Sequence, residues 1–132
     1  MFCKLKKLWR NNEGVEAIEM AFVLPIFLLF VLGIIEFGRA YWIMDSMQFS
    51  IDEAGRYAML NSTATDVQII STAKANLYGL DPTSFTVTST SQTVSGINYK
   101  QIIATYNFTF AVPNLLPFGN IALTRQTQVP LL

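Results

Sequence analysis

The hydrophobic and polar positions along the chain change period twice, from an unbroken apolar run to steps of three and four and then to alternation, and each pattern predicts its own elements. Met20 to Ile35 is 16 residues without a charge. As helix, at about 1.5 Å per residue, it covers roughly 24 Å, short of a hydrocarbon layer about 30 Å thick. Adding Ala17 and Ile18 before it and Phe37 through Ile43 after it gives a membrane span of about residues 18–42. Glu19 then lies near one membrane face and Glu36 and Arg39 near the other. Charges there reach water, whereas at the centre each costs roughly 3 kcal/mol.

Past the span, Ala40, Ile43 or Met44, Met47, Ile51, Ala54 and Ala58 recur at steps of three and four, with Asp45, Gln48, Asp52, Glu53 and Arg56 mostly on other faces. This is an amphipathic helix continuing the first one to about residue 60. Asn61-Ser62-Thr63 ends it. Thr65 or Asp66 caps a second helix over about 66–78, with a stripe of Val67, Ile70, Ala73 or Lys74 and Leu77, closed by Gly79 and Asp81-Pro82.

Then the period becomes two. Thr83 to Ser95 is rich in Ser and Thr and first reads as a linker. Phe85 and Val87, however, alternate with Thr86, Thr88 and Thr90, so about 84–90 is a strand with a polar outer face. Ser95-Gly96 is a turn. Residues 98–112 form the strongest strand, with Ile102, Ala104, Tyr106, Phe108, Phe110 and Val112 on one face. Pro113 to Asn120 is a Pro/Gly loop whose apolar residues either pack under the sheet or meet another subunit. Ile121, Leu123 and Val129 mark a last strand over about 120–129, broken near Pro130. The predicted class is α+β: a long transmembrane and amphipathic helix, a short helix, and a three-stranded antiparallel sheet in a head over 61–132.

Composition narrows the function. Of 132 residues 52% are hydrophobic and 14% charged, an oily balance for a chain this short. Nine cations against nine anions give zero net charge, so the basic field of nucleic-acid binders is missing and no nucleic-acid partner is expected. There is no His and a single Cys, Cys3. That removes His-based catalysis, Cys/His zinc sites and internal disulfides. No Ser/His/Asp or paired-carboxylate constellation stands out, so no catalytic residue, metal or cofactor is expected.

Charge is polarised along the chain. Residues 1–14 carry Lys4, Lys6, Lys7 and Arg10 against Glu13 alone, a net +3. Four cations before the span place the N-terminus in the cytoplasm and the head outside it. A cleaved secretory signal fits poorly, because the apolar run ends in Glu36-Phe37-Gly38-Arg39-Ala40-Tyr41-Trp42 without a small-residue cleavage site. Gly33 and Gly38 are five apart, not the four of GxxxG, and imply no specific helix dimer.

Gly14 stands directly before the apolar segment, and Glu19 is the fifth residue after it, in the run GVEAIE followed by MAFVLPIF. This arrangement resembles the processing site of type IV prepilins. The resemblance implies that a prepilin peptidase cuts after Gly14 and removes a basic leader of residues 1–14. The new amine of Val15 is then neutralised by Glu19 of the same or a neighbouring subunit. Without the resemblance, Glu19 is a carboxylate that reaches the headgroup layer. Further on, Pro25, Glu36-Phe37-Gly38-Arg39 and Glu53-Ala54-Gly55-Arg56-Tyr57-Ala58 fall in register with the opening of the TadE-like family. These are pilin-like proteins of tight-adherence (Flp-type) pilus systems, and the resemblance covers about residues 10–60.

It implies a minor pilin, pseudopilin or assembly factor that acts by helix packing. Its partners are a prepilin peptidase, other pilin and pilin-like subunits, an inner-membrane pilus assembly platform and the lipid bilayer. Its place is the bacterial inner membrane, single pass, or a surface pilus. Pro25 removes one helical hydrogen bond, as a harmless kink or as a local melt that lets the helix repack. Glu36 and Arg39, three apart on one face, either pair as a solvated decoration or dock to another subunit. The alternative function is a membrane-anchored extracytoplasmic binding module with the helix as a tether only.

Overall fold

A computed structural model of the protein describes residues 13–111 and 119–131. Residues 1–12 of the expected leader, Val112 of the expected second strand and Pro113 to Phe118 of the expected apolar loop lie outside the described residues. The elements are α1 (Glu13–Leu60), α2 (Asp66–Ala75), a short 3-10 turn (Pro82–Ser84), β1 (Phe85–Val94), β2 (Ile97–Phe108) and β3 (Ile121–Pro130). The strands lie in the order β1-β2-β3, a fully antiparallel meander, so the fold is the α+β arrangement that the changes of period predict. The chain divides into two compact units, Met1–Phe37 and Gly38–Leu132.

The first unit, as far as it is described, is the helical stretch 13–37. It contains Pro25 and remains α-helical through it. Its large apolar side chains face outward, Phe22 at 73% exposure and Ile34 at 71%. By length and composition α1 is able to cross a membrane.

The second unit has its own core. Ile43, Met47, Ile51, Ala54 and Ala58, the stripe expected on the amphipathic half of α1, are all buried. They meet Ile69 and Ala73 of α2 and Phe85, Val87, Ile102, Ala104 and Phe108 of the sheet. Each large side chain so buried contributes roughly 1.5–3 kcal/mol. The small residues set the spacing: a Cβ on Gly55 would lie 3.0 Å from the Val129 side chain, so glycine lets α1 lie close against β3.

Several element ends differ from expectation, each for a local reason. α2 stops at Ala75 instead of 78, because Asn76 caps it: the Asn76 Nδ2 and backbone N–H both donate to the Thr72 carbonyl. Its inner face is Ile69 and Ala73, while Val67 is 75% exposed. The capping box at Thr65 and Gln68 fixes where the helix starts. Ser50 then selects the face, donating its buried hydroxyl to the Ala73 carbonyl at 2.6 Å. β1 runs on to Val94 instead of 90, because its Ser/Thr-rich half pairs with Ile97 through Gln101 across a two-residue turn. Ser95 (φ 53) and Gly96 (φ 81) both take positive φ there, as a tight hairpin requires. β2 ends at Phe108, short of the expected 112, since β3 begins opposite Phe108 at Ile121 and the ladder between them ends there. β3 runs from Ile121 to Pro130 at the sheet edge and ends at that proline, as the sequence predicts.

Candidate functional site

The residues expected to carry function fall in two places. Gly14, Val15, Glu19 and Pro25 lie on the first turns of α1 and its apolar run. Val15 and Glu19 are four apart, one helical turn, so they share a face. Both are exposed. Among the described residues, a Cβ at Gly14 would meet nothing within 4 Å. Farther along, Ile26, Leu29, Phe30, Gly33, Ile34 and Phe37 line a shallow, almost wholly apolar groove on the helix surface.

Glu36 is buried and Arg39 half-buried. Arg39 is engaged within the head. Its Nη2 donates to the Thr109 carbonyl at 2.9 Å, and the guanidinium lies 4.8 Å from the centre of the Phe108 ring. Phe110 stacks edge-on against Phe108 at 5.2 Å. The arginine therefore ties the end of β2 to α1.

Sequence patterning missed a second charged group. Lys100 is 6% exposed and stands on the sheet face that carries Ile102 and Ala104. Its Nζ lies 2.6 Å from Asp66 Oδ1, at the start of α2, and donates to Ser91 Oγ at 2.8 Å. Ser89 Oγ donates to the same Asp66 oxygen at 2.9 Å. The hydrogen bonds from Lys100 and Ser89 hold the Asp66 carboxyl below its ordinary pKa. Asp81 is also lowered, by the Thr83 N–H and hydroxyl that it accepts as cap of the 3-10 turn. Position 100 has the parity of 102 and 104, so strict alternation already places this lysine toward the core.

Among the described residues no three His, Cys, Asp or Glu side chains gather as a metal site. What the arrangement offers chemically is an exposed apolar helix with a glycine and a glutamate at its start, joined to a head with a separate core.

No match to the chain is found among curated proteins or among solved structures. The model of the TadE-like protein family matches residues 14–56. The match begins at Gly14 and ends at Arg56, within the Glu53 to Ala58 motif. Residues 14–56 are thus a TadE-like segment, the family whose motifs this part of the sequence carries.

Proposed function

We propose that the protein is a minor pilin, pseudopilin or assembly factor of a tight-adherence pilus, cleaved by a prepilin peptidase after Gly14 and acting through association. The observation that carries this reading is the coincidence of three features at one place. The TadE-like segment begins at Gly14, Glu19 follows one turn after Val15, and the apolar run 20–35 comes next. A glutamate at the start of a membrane helix is costly unless it is paired, and the amine freed at Val15 supplies the pair. The basic leader orients the span with its N-terminus in the cytoplasm, so the head lies outside the inner membrane. The exposed apolar surface of 14–37 is lipid-facing before assembly and packed against other subunits and the assembly platform afterwards. No catalytic step is part of this role.

Mass spectrometry of the protein from its native membrane tests the reading. The expected mature chain begins at Val15, and an intact residue 1 refutes it. Gly14→Val is expected to leave the precursor uncut, and Glu19→Ala to be cut but to fail in assembly. Normal pili in both variants remove the assigned roles.

The separate core of the head favours a second reading, a membrane-tethered binding module. Replacing residues 15–40 with a foreign membrane span distinguishes the two, since function survives only if the helix is a mere tether.

A further inference from the structure

The last turn of the expected span, Gly38 to Trp42, belongs to the same compact unit as the head. Whatever that unit carries beside Trp42 is therefore held in a fixed place relative to the point where the chain leaves the bilayer. Trp42 is 50% exposed. Phe49 follows it on the same face of α1, since seven residues make almost two helical turns. The segment after α2 adds a third ring. The backbone at Gly79 lies close against the Trp42 indole, and the Tyr78 ring beside it is 6.0 Å from that of Phe49. Phe49 is 49% and Tyr78 64% exposed, so the three rings form one aromatic patch with an open side.

The surroundings of the patch grade from lipid to water. Below it lies the apolar span. Above it, on the next turn of the same stripe, stands the Glu53–Arg56 ion pair at 3.5 Å. Asp45 is exposed on the flank, about 60° round the helix from Trp42. Arg39 is turned inward to Thr109 and Phe108, so rings rather than cations define the surface. The lengths agree. Residues 18–42 make a helix roughly 37 Å long, which fits a hydrocarbon layer of about 30 Å by tilting. The rise from Trp42 to Phe49 is about 10 Å along the axis and less in a tilted helix, near the roughly 5–8 Å of one headgroup layer.

We propose that Trp42, Phe49 and Tyr78 enter the headgroup layer where α1 leaves the membrane, so that the head lies against the bilayer. Continuity names the occupant: the patch begins on the last residue of the span, and the surface that meets it there is the phospholipid interface. Trp and Tyr suit that layer, each with an apolar body and a polar edge. The proposal rests on the reading of residues 18–42 as a membrane span and not on cleavage at Gly14.

The test uses the full-length protein in phosphatidylcholine nanodiscs at one copy per disc, with a nitroxide-headgroup phosphatidylcholine as quencher. The tryptophans of the chain are Trp9 and Trp42. Trp9→Phe alone makes Trp42 the reporter of the span, and its emission is expected to be quenched. In a Trp9→Phe, Trp42→Phe background, Phe49→Trp is expected to lose about half its emission to the quencher. Val67→Trp, at the other end of α2 and 75% exposed, should lose several-fold less. Both proteins are checked for an unchanged unfolding temperature. Quenching of Phe49→Trp should be the same at about 0.15 and 0.5 M salt, because no charge carries the contact. A quenched Trp42 with Phe49→Trp quenched no more than Val67→Trp overturns the proposal and leaves the span standing. An unquenched Trp42 overturns both. Loss of Phe49→Trp quenching in salt overturns the proposal as well, since a charged contact is then the cause. So does shielding of Phe49→Trp from aqueous iodide that needs several copies per disc and comes without quenching by the lipid, which makes a second copy the occupant.

Discussion

Lys100 is buried at the edge of the core, and its ammonium is compensated by Asp66 and Ser91. A buried ion pair is weak support for stability, since desolvation offsets most of the attraction. Here the Asp66 side chain is 52% exposed, so solvent screens the pair further and its contribution is at most about 1 kcal/mol. The sign with pH follows from the direction of the shift. A carboxyl held below its ordinary value near 3.8 stabilises the fold above that pH, and the contribution is lost as pH falls through the lowered folded-state value. Asp66→Asn should therefore flatten part of the acid limb of a stability curve below about pH 4 and leave its shape above pH 5 unchanged. Thermal unfolding measured from pH 2 to 7 checks this; an unchanged acid limb removes the assignment. Residue parity was enough to place Lys100 on the core face, yet patterning by hydrophobicity passes over a lysine. Its partner lies 34 residues away, at the start of another element, and no local spacing could supply it.

At the scale of elements, periods read well and ends read poorly. The stripe from Ile43 to Ala58 is legible because one face of α1 repeats at three and four residues over several turns. The inner face of α2 is not legible, because in ten residues several stripes compete and the tie from Ser50 to Ala73 decides among them. The Ser/Thr half of β1 gives no apolar alternation, and only its pairing with β2 makes it a strand. The segment after α2 returns to α1 by a steric fit that sequence does not announce. Gly79 has φ +69, and a Cβ there would lie 2.9 Å from Trp42 Cη2, while Phe49 and Tyr78 stack nearby at 6.0 Å. Gly96 also has positive φ (+81) but open space around it. Left-handed backbone costs a non-glycine residue roughly 1–2 kcal/mol. Both Gly79→Ala and Gly96→Ala should show that loss in chemical denaturation, and Gly79→Ala should lose about 1–3 kcal/mol more because Trp42 has to move. Equal losses at the two sites refute the packing role of Gly79.

For the whole molecule, the division at Phe37 separates two kinds of stability. All the core side chains, from Ile43 to Phe108, lie in the second unit. The first buries none of its most apolar window and depends on lipid or on partners for cover. A fragment that starts at Gly38 should consequently remain in solution and unfold cooperatively on heating, followed by circular dichroism; a broad, non-cooperative transition refutes an autonomous head. The candidate processing site rests on the sequence alone, since Gly14, Val15 and Glu19 form a linear motif. The aromatic patch was not legible there, because Tyr78 reaches Phe49, and Gly79 reaches Trp42, only in the folded chain.

The buried lysine has one more consequence, for reagents rather than for stability. Beyond Gly14 the chain has two lysines: Lys74, exposed on α2, and Lys100, covered by the sheet and its serines. An amine-acylating reagent therefore marks the first at once and reaches the second only when the head comes apart, so the native chain carries its own chemical clock of opening.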